Sequence, residues 1–172
     1  MKIALVLTAA GTSERFASGK KKEYMPLCSA LFPNPKSGTV LSCSAEPFLL
    51  VLPSGSDCTL TRFIVTLPPH KADKAEAEQA LFASPFVAEK LRNLHLKPEF
   101  IPGGASRRES VFCALEHLAA GCQSDCDIDL VFIHDAARPF LSPGLVKKVL
   151  TLARETPKRF AISIERIDSE PF

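Results

Sequence analysis

An uninterrupted run of apolar residues, residues 3–7, stands close to the amino terminus. No polar residue alternates with the apolar ones, so we expect a strand buried on both faces, as in the middle of a parallel sheet. The small residues Ala9, Ala10 and Gly11 follow the run, and Lys2 precedes it. The same pattern resembles a short secretory signal with a cleavage site. The residues that follow must decide between the two.

Strand-like and helix-like segments alternate along the rest of the chain. Apolar runs predict further strands at residues 63–67, 96–101, 130–133 and 161–164, and periodic or helix-favouring segments predict helices at residues 39–50, 71–82, 106–120 and 143–153. This alternation is typical of a parallel sheet with helices on both faces. The sequence therefore predicts an α/β fold with a mostly parallel central sheet in a three-layer αβα arrangement. In such sheets ligands bind beyond the carboxyl ends of the strands.

Length, charge and cysteine pattern exclude several classes of protein. The 172 residues suffice for one domain with its own core. A net charge of +2, from 21 basic and 19 acidic residues, is too balanced to indicate nucleic-acid or anionic-membrane binding. No apolar run reaches the roughly 18 residues of a membrane helix. The six cysteines form no C-x-x-C pair, so we interpret most as reduced, partly buried thiols of a cytoplasmic protein, with a disulfide scaffold less favoured.

Four basic residues follow the small residues. They lie within eight positions of one another and are Arg15, Lys20, Lys21 and Lys22. The glycine spacings of a P-loop and of a dinucleotide fingerprint are both missing. Backbone amides in a small-residue loop, with cations nearby, still suit a polyphosphate. Directly after a buried strand, we favour this function over a merely solvated basic loop. A secretory signal is then disfavoured, since cleavage after Ala10 would remove the core strand and part of the site.

The segment GGASRRESV, residues 103–111, is a second candidate anion site. Ser106 and Glu109 have the S-x-x-E spacing of a helix capping box. Arg107 and Arg108 fall in the first helical turn, where basic residues oppose the helix dipole, which favours a bound anion over side chains that simply extend into solvent. We expect the helix to bury one apolar stripe, made of Val111, Phe112, Leu115, Leu118 and Ala119.

The segment VFIHDAARPF, residues 131–140, ends a predicted buried strand with His134 and Asp135. An aspartate at the tip of a central strand is well placed to hold Mg²⁺ on a nucleotide. A turn or N-cap aspartate is the alternative. We interpret His134 as a packed or hydrogen-bonded residue rather than a ligand.

Three segments of the chain are AAGTSERF…KKKEY, GGASRRESV and FIHDAARPF. In order and spacing, they resemble the signature segments of the 2-C-methyl-D-erythritol 4-phosphate cytidylyltransferase family. The resemblance covers about residues 1–155 and implies a Rossmann-like nucleotidyltransferase fold. It implies transfer of CMP from CTP to 2-C-methyl-D-erythritol 4-phosphate, a step of the non-mevalonate isoprenoid pathway, with release of pyrophosphate. The acceptor phosphate would attack the α-phosphorus in line, without a covalent enzyme intermediate. Mg²⁺ or another divalent cation is the implied cofactor.

The resemblance also implies roles for residues of the first segment. Ala9, Ala10 and Gly11 would contact cytosine and ribose through the backbone and close packing. Arg15 and Lys22 would hold the triphosphate and stabilise the charge that builds up at the α-phosphorus, and are the implied catalytic residues.

Residues of the other two segments complete the implied site. Gly103 and Ser110 would help to recognise the cytidine, and Arg107 would lie near the pocket. Asp135 would hold Mg²⁺ and the ribose, and Arg138 would support that loop.

The implied partners are CTP and a polyol phosphate, and full-length members of the family are expected to be cytoplasmic homodimers. Two alternatives stay open: a related cytidylyltransferase acting on ribitol 5-phosphate, and a catalytically incomplete CTP-binding domain. A secreted interaction protein finds little support.

The chain departs from the family pattern at several places. Ser13 stands where the family has a second glycine, and Lys21 stands where it has a proline. This leaves open which lysine of the run is functional. The family's later D-T segment, its second basic residue for the substrate phosphate and its dimerisation arm are not found. We therefore expect residues 1–172 to form a single nucleotidyltransferase-like domain, truncated at its carboxyl end.

Overall fold

Parallel strands alternate with helices in the computed structural model, which describes residues 1–11, 21–27, 38–52, 58–69, 74–121, 128–155 and 160–163. The strands are β1 (Lys2–Thr8), β2 (Thr59–Leu67), β3 (Glu99–Pro102), β4 (Leu130–Asp135) and β5 (Phe160–Ser163). The α-helices are α1 (Val40–Val51), α2 (Lys74–Phe82), α3 (Pro85–Asn93), α4 (Arg107–Ala120) and α5 (Pro143–Glu155), and a short 3-10 helix covers Lys22–Tyr24.

The strands form one sheet in the order β3-β2-β1-β4-β5. Every strand pair in the described part of the chain is parallel, which confirms the predicted α/β class. Strand β1 lies in the middle, with Leu5 opposite Phe63 of β2 and Phe132 of β4. The run at residues 3–7 is therefore the central strand that its unbroken apolar character predicts.

Strand β1 sends alternate side chains into two separate cores, because successive residues of a strand point to opposite faces. Ile3, Leu5 and Leu7 belong to the larger core, together with residues of α1, α2, α3 and α5. Ala4 and Val6 belong to the smaller core, to which α4 contributes. All five are fully buried, and each large side chain contributes about 1.5–3 kcal/mol. A sheet with a core on each face confirms the three-layer prediction.

Helix α1 is buried on all sides, since every residue of 41–49 is buried. A capping box fixes its start: the Ser42 amide donates to Thr39 Oγ1 (3.2 Å), and the Thr39 amide donates to Ser42 Oγ (2.9 Å). The helix predicted here is confirmed and continues past Pro47. Val40, the first residue of the helix, is only half-buried.

Helix α3 was not predicted, although its start carries clear signals. Ser84 caps it by accepting the Val87 amide (3.5 Å), and Pro85 lies in the first turn, where proline is tolerated. Only Val87 and Leu91 are buried in this short helix, so its apolar period is too brief to recognise. The helix predicted at 71–82 is confirmed from Lys74 onward, and residues 71–73 lie outside the described residues.

The apolar stripe predicted for helix α4 is wrong in part. The buried residues are Ser110, Ala114 and Leu118, whereas Phe112 is 59% exposed and Ala119 is also exposed. The buried face is rotated because the hydroxyl of Ser110 is held inward by hydrogen bonds described below. A polar residue at a buried position displaces the stripe that apolar counting predicts.

Several strand boundaries differ from the prediction. Strand β2 begins at Thr59, four residues before the predicted start at residue 63. Strand β3 begins at Glu99 rather than residue 96, because pairing with β2 begins at Ile64 opposite Glu99. Strand β4 extends to Asp135, which pairs with Thr8. Strand β5 covers Phe160–Ser163, and Ile164 of the predicted strand lies outside the described residues.

The described cysteines agree with the prediction of reduced thiols. Cys43 and Cys113 lie in helices, and neither these two nor Cys58 forms a disulfide. Cys28, Cys122 and Cys126 lie outside the described residues. Among the helices described, none is both long and apolar enough to cross a membrane.

Candidate functional site

The carboxyl edge of the sheet brings the predicted segments together around β1. Thr8, the last residue of β1, lies opposite Thr66 of β2 on one side and Asp135 of β4 on the other. The chain builds β2 and β3 on one side of β1 and then returns to the other side with β4. Such a reversal of strand order is where open α/β sheets bind ligands.

The backbone after β1 is held in place by its neighbours. The Ala9 amide donates to Thr66 Oγ1 (3.2 Å), and the Ala9 carbonyl accepts from Lys21 Nζ. Ala9 and Ala10 are buried, whereas Gly11 is exposed. The chain therefore leaves the sheet at Gly11, with no side chain to obstruct a ligand there.

Gly103 lies against this backbone and leaves no room for a side chain. A Cβ on Gly103 would come within 2.5 Å of Ala10 Cβ and 2.8 Å of Ser110 Oγ. The Gly103 amide donates to the Leu67 carbonyl at the end of β2 (2.7 Å). The segments predicted from residues 9–11 and 103–111 are thus in direct contact.

Ser110 closes the turn that Gly104 begins. Its buried hydroxyl accepts from the Gly104 amide (3.2 Å) and donates to the Ser106 carbonyl (2.9 Å). A Cβ on Gly104 would come within 2.2 Å of Glu109 Cβ, so this turn also requires glycine. The Ser110 hydroxyl supports the shape of the loop beside the predicted cytidine site.

The start of helix α4 has only half of the predicted capping box. Ser106 Oγ accepts from the Glu109 amide (3.1 Å), as predicted. The Glu109 carboxylate accepts from the Ala105 amide (2.8 Å), one residue earlier than a capping box requires. Arg107 and Arg108 are exposed in the first turn, on the same edge of the sheet as Gly103.

The Asp135 carboxylate is held by a backbone amide and by the Arg138 guanidinium, both in the loop that follows β4. Its Oδ1 accepts from the Ala137 amide (3.0 Å), and its Oδ2 lies 3.4 Å from Arg138 Nε. The Arg138 amide in turn donates to the Asp135 carbonyl (3.0 Å). Both predicted residues are thus brought together, with the carboxylate about one-third exposed (31%).

His134 is the packed residue that we predicted. It is 2% exposed, and its ring lies 5.4 Å from that of Phe48 on α1. Its Nε2 lies 2.9 Å from the Arg138 carbonyl, so Nε2 carries the proton that this acceptor requires.

The lysines that the structure describes differ in environment. Lys21 is half-buried, with Nζ on the Ala9 carbonyl and 5.1 Å from the centre of the Tyr24 ring. Lys22 is exposed at the start of the 3-10 helix. Arg15 and Lys20 lie outside the described residues.

Burial lowers the pKa of the Lys21 ammonium from 10.5 to about 8. The carboxylates of Glu23 and Glu76 oppose this shift, and the positive charge of Lys22 adds to it. Glu23 is itself 3% exposed and lies beneath Gly11, where a Cβ would be 3.8 Å from Glu23 Oε1. A buried carboxylate, that of Glu23, therefore lies beneath the backbone at Gly11.

The donor set at this edge suits a cation that is shared with phosphates. In the described part of the chain, no group of three or more histidine, cysteine or acidic residues could enclose a metal ion. Mg²⁺ is commonly held by only one or two carboxylates together with substrate phosphates. Each oxygen of Asp135 has a second lone pair beyond its hydrogen bond. Asp135 therefore fits as a protein ligand for nucleotide-bound Mg²⁺.

Two residues at this edge were missed by sequence analysis. Thr66 precedes the last residue of β2 and gave no signal beyond its polarity, yet its hydroxyl accepts a hydrogen bond from the Ala9 amide. Ser44 lies inside a helix, and its hydroxyl contacts the Ala136 carbonyl (2.8 Å). Both act on segments distant in sequence, and no local pattern could have identified them.

A second charged cluster lies away from this edge, on β2, β3 and α4. Arg62 binds both oxygens of Glu99 (2.5 and 2.7 Å), and His117 Nε2 lies 2.7 Å from Glu99 Oε2. An open cavity of about 430 Å³ adjoins it, lined by Lys74, Lys97, Pro98, Glu99, Phe100, Ile101 and His117. Since Arg62 and His117 already pair with Glu99, we interpret this cluster as a set of side-chain interactions that holds α4 against the sheet.

Comparison with protein families identifies one match. The model of the family described as IspD, 2-C-methyl-D-erythritol 4-phosphate cytidylyltransferase, matches residues 60–166. This stretch contains Gly103, Ser110 and Asp135.

Curated proteins of similar sequence extend the likeness to most of the chain. A 2-C-methyl-D-erythritol 4-phosphate cytidylyltransferase of Cereibacter sphaeroides (strain KD131) is 34% identical, over 91% of this chain and 56% of that protein. The bifunctional enzyme IspD/IspF of Maricaulis maris is 31% identical, over 91% of this chain and 33% of that protein. A protein of the same name from Nitratidesulfovibrio vulgaris (strain DP4) is 29% identical, over 88% of this chain and 32% of that protein. The chain thus spans about one third to just over one half of these relatives.

Proposed function

Because the chain belongs to the 2-C-methyl-D-erythritol 4-phosphate cytidylyltransferase family, we propose that it binds CTP at the carboxyl edge of β1 and β4. There it would transfer CMP to 2-C-methyl-D-erythritol 4-phosphate, giving CDP-methylerythritol and pyrophosphate. The observation that carries this proposal is the contact of Gly103 with Ala10 beside the pairing of Thr8 with Asp135. All three signature segments meet there at the reversal of strand order.

The nucleoside would bind where side chains are smallest. Ala9 and Ala10 have small, buried side chains, Gly11 is exposed and has none, and Gly103 admits no Cβ. Backbone amides and carbonyls in such a loop can approach a base and a ribose closely. Ser110 would support recognition by holding the Gly104 turn, and Arg107 would lie at the rim.

Catalysis would depend on positioning and on charge. A phosphate oxygen of the acceptor attacks the α-phosphorus of CTP as the bond to the leaving pyrophosphate breaks. We assign Arg15 and Lys22 to the triphosphate, where their positive charges stabilise the transition state. Lys22 is preferred over Lys21 because it is exposed, whereas Lys21 is directed to the Ala9 carbonyl.

Asp135 would hold a divalent cation together with the nucleotide phosphates. Such a cation neutralises phosphate charge when it is bound. The Ala137 amide and Arg138 restrict the carboxylate to one orientation, which would lower the cost of ordering it on binding.

A cytoplasmic location and a homodimer belong to the same proposal. Cys43 and Cys58 are buried and neither forms a disulfide, which agrees with a reducing compartment. The homodimer rests on the family resemblance alone.

Calorimetric titration of the chain with CTP and Mg²⁺, with ATP as the competing nucleotide, tests the proposal. Lys22→Ala and Asp135→Asn should each weaken CTP binding about tenfold or more, since each removes a charged contact. Lys148→Ala removes an exposed lysine from α5 and should leave CTP binding unchanged.

Pyrophosphate release with either polyol phosphate then tests turnover. Release with 2-C-methyl-D-erythritol 4-phosphate supports the proposal, and a preference for ribitol 5-phosphate supports the related enzyme instead. CTP binding without release with either acceptor favours a catalytically incomplete domain. A folded chain that binds no nucleotide would overturn the proposal.

A further inference from the structure

Ser44, on helix α1, makes a contact that its place in the helix does not explain. Its side chain is fully buried, and its hydroxyl lies 2.9 Å from the Val40 carbonyl and 2.8 Å from the Ala136 carbonyl. A hydroxyl has only one proton to donate, so these two carbonyls share that proton or compete for it. The shorter distance favours the Ala136 carbonyl, in the loop after β4, over the carbonyl four residues earlier to which a helical serine ordinarily donates.

The Ala136 carbonyl belongs to the peptide unit whose amide binds Asp135. That unit consists of the Ala136 carbonyl and the Ala137 amide, and the amide donates to Asp135 Oδ1 (3.0 Å). Since a peptide unit is planar and rigid, a bond at its oxygen restrains the direction of its N–H. Ser44 and the Asp135 carboxylate thus hold opposite ends of one plane.

Other contacts hold the rest of this loop. The Ala136 amide donates to the Thr8 carbonyl at the end of β1 (3.1 Å). One helical turn after Ser44, Phe48 packs against the rings of Phe132 (5.7 Å) and His134 (5.4 Å). Within this arrangement, Ser44 supplies a side-chain hydrogen bond from α1 to the Ala136–Ala137 peptide unit.

We propose that Ser44 is a positioning residue, which orients the Asp135 carboxylate for the nucleotide through the Ala136–Ala137 peptide unit. The inference rests on the proposed function for the role of Asp135, but its geometric part does not require a nucleotide. Without the hydroxyl, the peptide unit can rotate and the Ala137 amide loses its fixed direction toward Asp135.

The first test follows hydrogen exchange of the Ala137 amide by NMR at one fixed pH. In the wild-type chain this amide should be protected, because it donates to Asp135 Oδ1. In Ser44→Ala its exchange should be about fivefold faster, as expected when a hydrogen bond that restrains the peptide unit is lost. Ser42→Ala is the matched control, since Ser42 is equally buried in α1 but bonds to Thr39.

The second test measures CTP affinity by calorimetry for the same variants. Ser44→Ala should raise the Kd about fivefold, and Ser42→Ala should change it less than about twofold. Thermal unfolding of both variants separates this effect from a general loss of stability.

Unchanged hydrogen exchange of the Ala137 amide in folded Ser44→Ala would overturn the inference, as would faster exchange with unchanged CTP affinity. Equal effects of Ser42→Ala and Ser44→Ala would also overturn it. If the wild-type chain binds no CTP, the proposed function fails, and hydrogen exchange of the Ala137 amide alone decides whether Ser44 orients the peptide unit that binds Asp135.

Discussion

The α-carbon of Gly103 lies so close to the methyl group of Ala10 that a Cβ on Gly103 would approach it to 2.5 Å. The loops after β1 and β3 are thus in contact although β2 lies between these strands. Because the proposed nucleoside site is built from this contact, the absence of a side chain at residue 103 is both a packing requirement and a condition for binding.

Gly103→Ala should therefore lower the free energy of unfolding by about 1–3 kcal/mol, the range for overpacking a tight site, and weaken CTP binding. Urea denaturation and calorimetry measure the two effects. The control is Gly144→Ala in helix α5, where a Cβ would meet only Ser142 Oγ, at 3.9 Å. It should be neutral or stabilising by up to about 1 kcal/mol. Equal stability of both variants would contradict the packing argument.

Lys21 should make stability depend on pH in the alkaline range. Its pKa is about 8 in the folded chain and near 10.5 when burial is lost. Between these values the unfolded state binds more protons, so the wild type gains stability with rising pH relative to Lys21→Met. Urea denaturation from pH 6 to 10.5 measures this difference, with Lys148→Met controlling for the lost charge. A constant difference between wild type and Lys21→Met would show that Lys21 is not buried as described.

Glu99 should also make stability rise with pH, but in the acid range. Its burial disfavours the charged form, but the hydrogen bonds from Arg62 and His117 prevail, so the pKa of Glu99 lies below 4.5. The stability that its carboxylate provides is present above that pH and is lost as the pH falls through the lowered value. The advantage of wild type over Glu99→Gln should therefore shrink from pH 6 to 3. Glu116→Gln, an exposed change on the same helix as His117, is the control and should show no comparable trend.

His95→Gly should stabilise the end of helix α3. His95 has φ of 51°, in the left-handed region, and the bonds Leu96 N to Leu91 O and His95 N to Arg92 O (both 3.0 Å) close the helix there. Glycine is the residue that such an end favours. We expect the free energy of unfolding, measured by urea denaturation, to rise by about 0.5–1 kcal/mol. This range already allows for the greater conformational freedom of glycine in the unfolded chain, which offsets part of the gain. His95→Ala keeps the Cβ and should give no gain, so a more stable alanine than glycine variant would refute the interpretation.

Local patterns predicted most of the architecture. Unbroken apolar runs identified β1 and β4, and the helix at 106–120 followed from Ser106 and from apolar period. The buried face of that helix was predicted less well, because Ser110 is buried through bonds to Gly104 and Ser106 that apolar counting cannot detect. Helix α3 was missed since its short buried period is formed by only Val87 and Leu91.

The sequence by itself determined the order of strands and helices, the signature segments and hence the family, because apolar period, capping residues and motif spacing are local properties of the chain. Only the tertiary structure decided how these parts cooperate. It separated Lys21, whose ammonium reaches the carbonyl of Ala9, from exposed Lys22. It also joined Ser44 to a carbonyl 92 residues away. Such contacts depend on how β1, β4 and α1 pack, and that packing minimises the free energy of the whole fold rather than of any one segment.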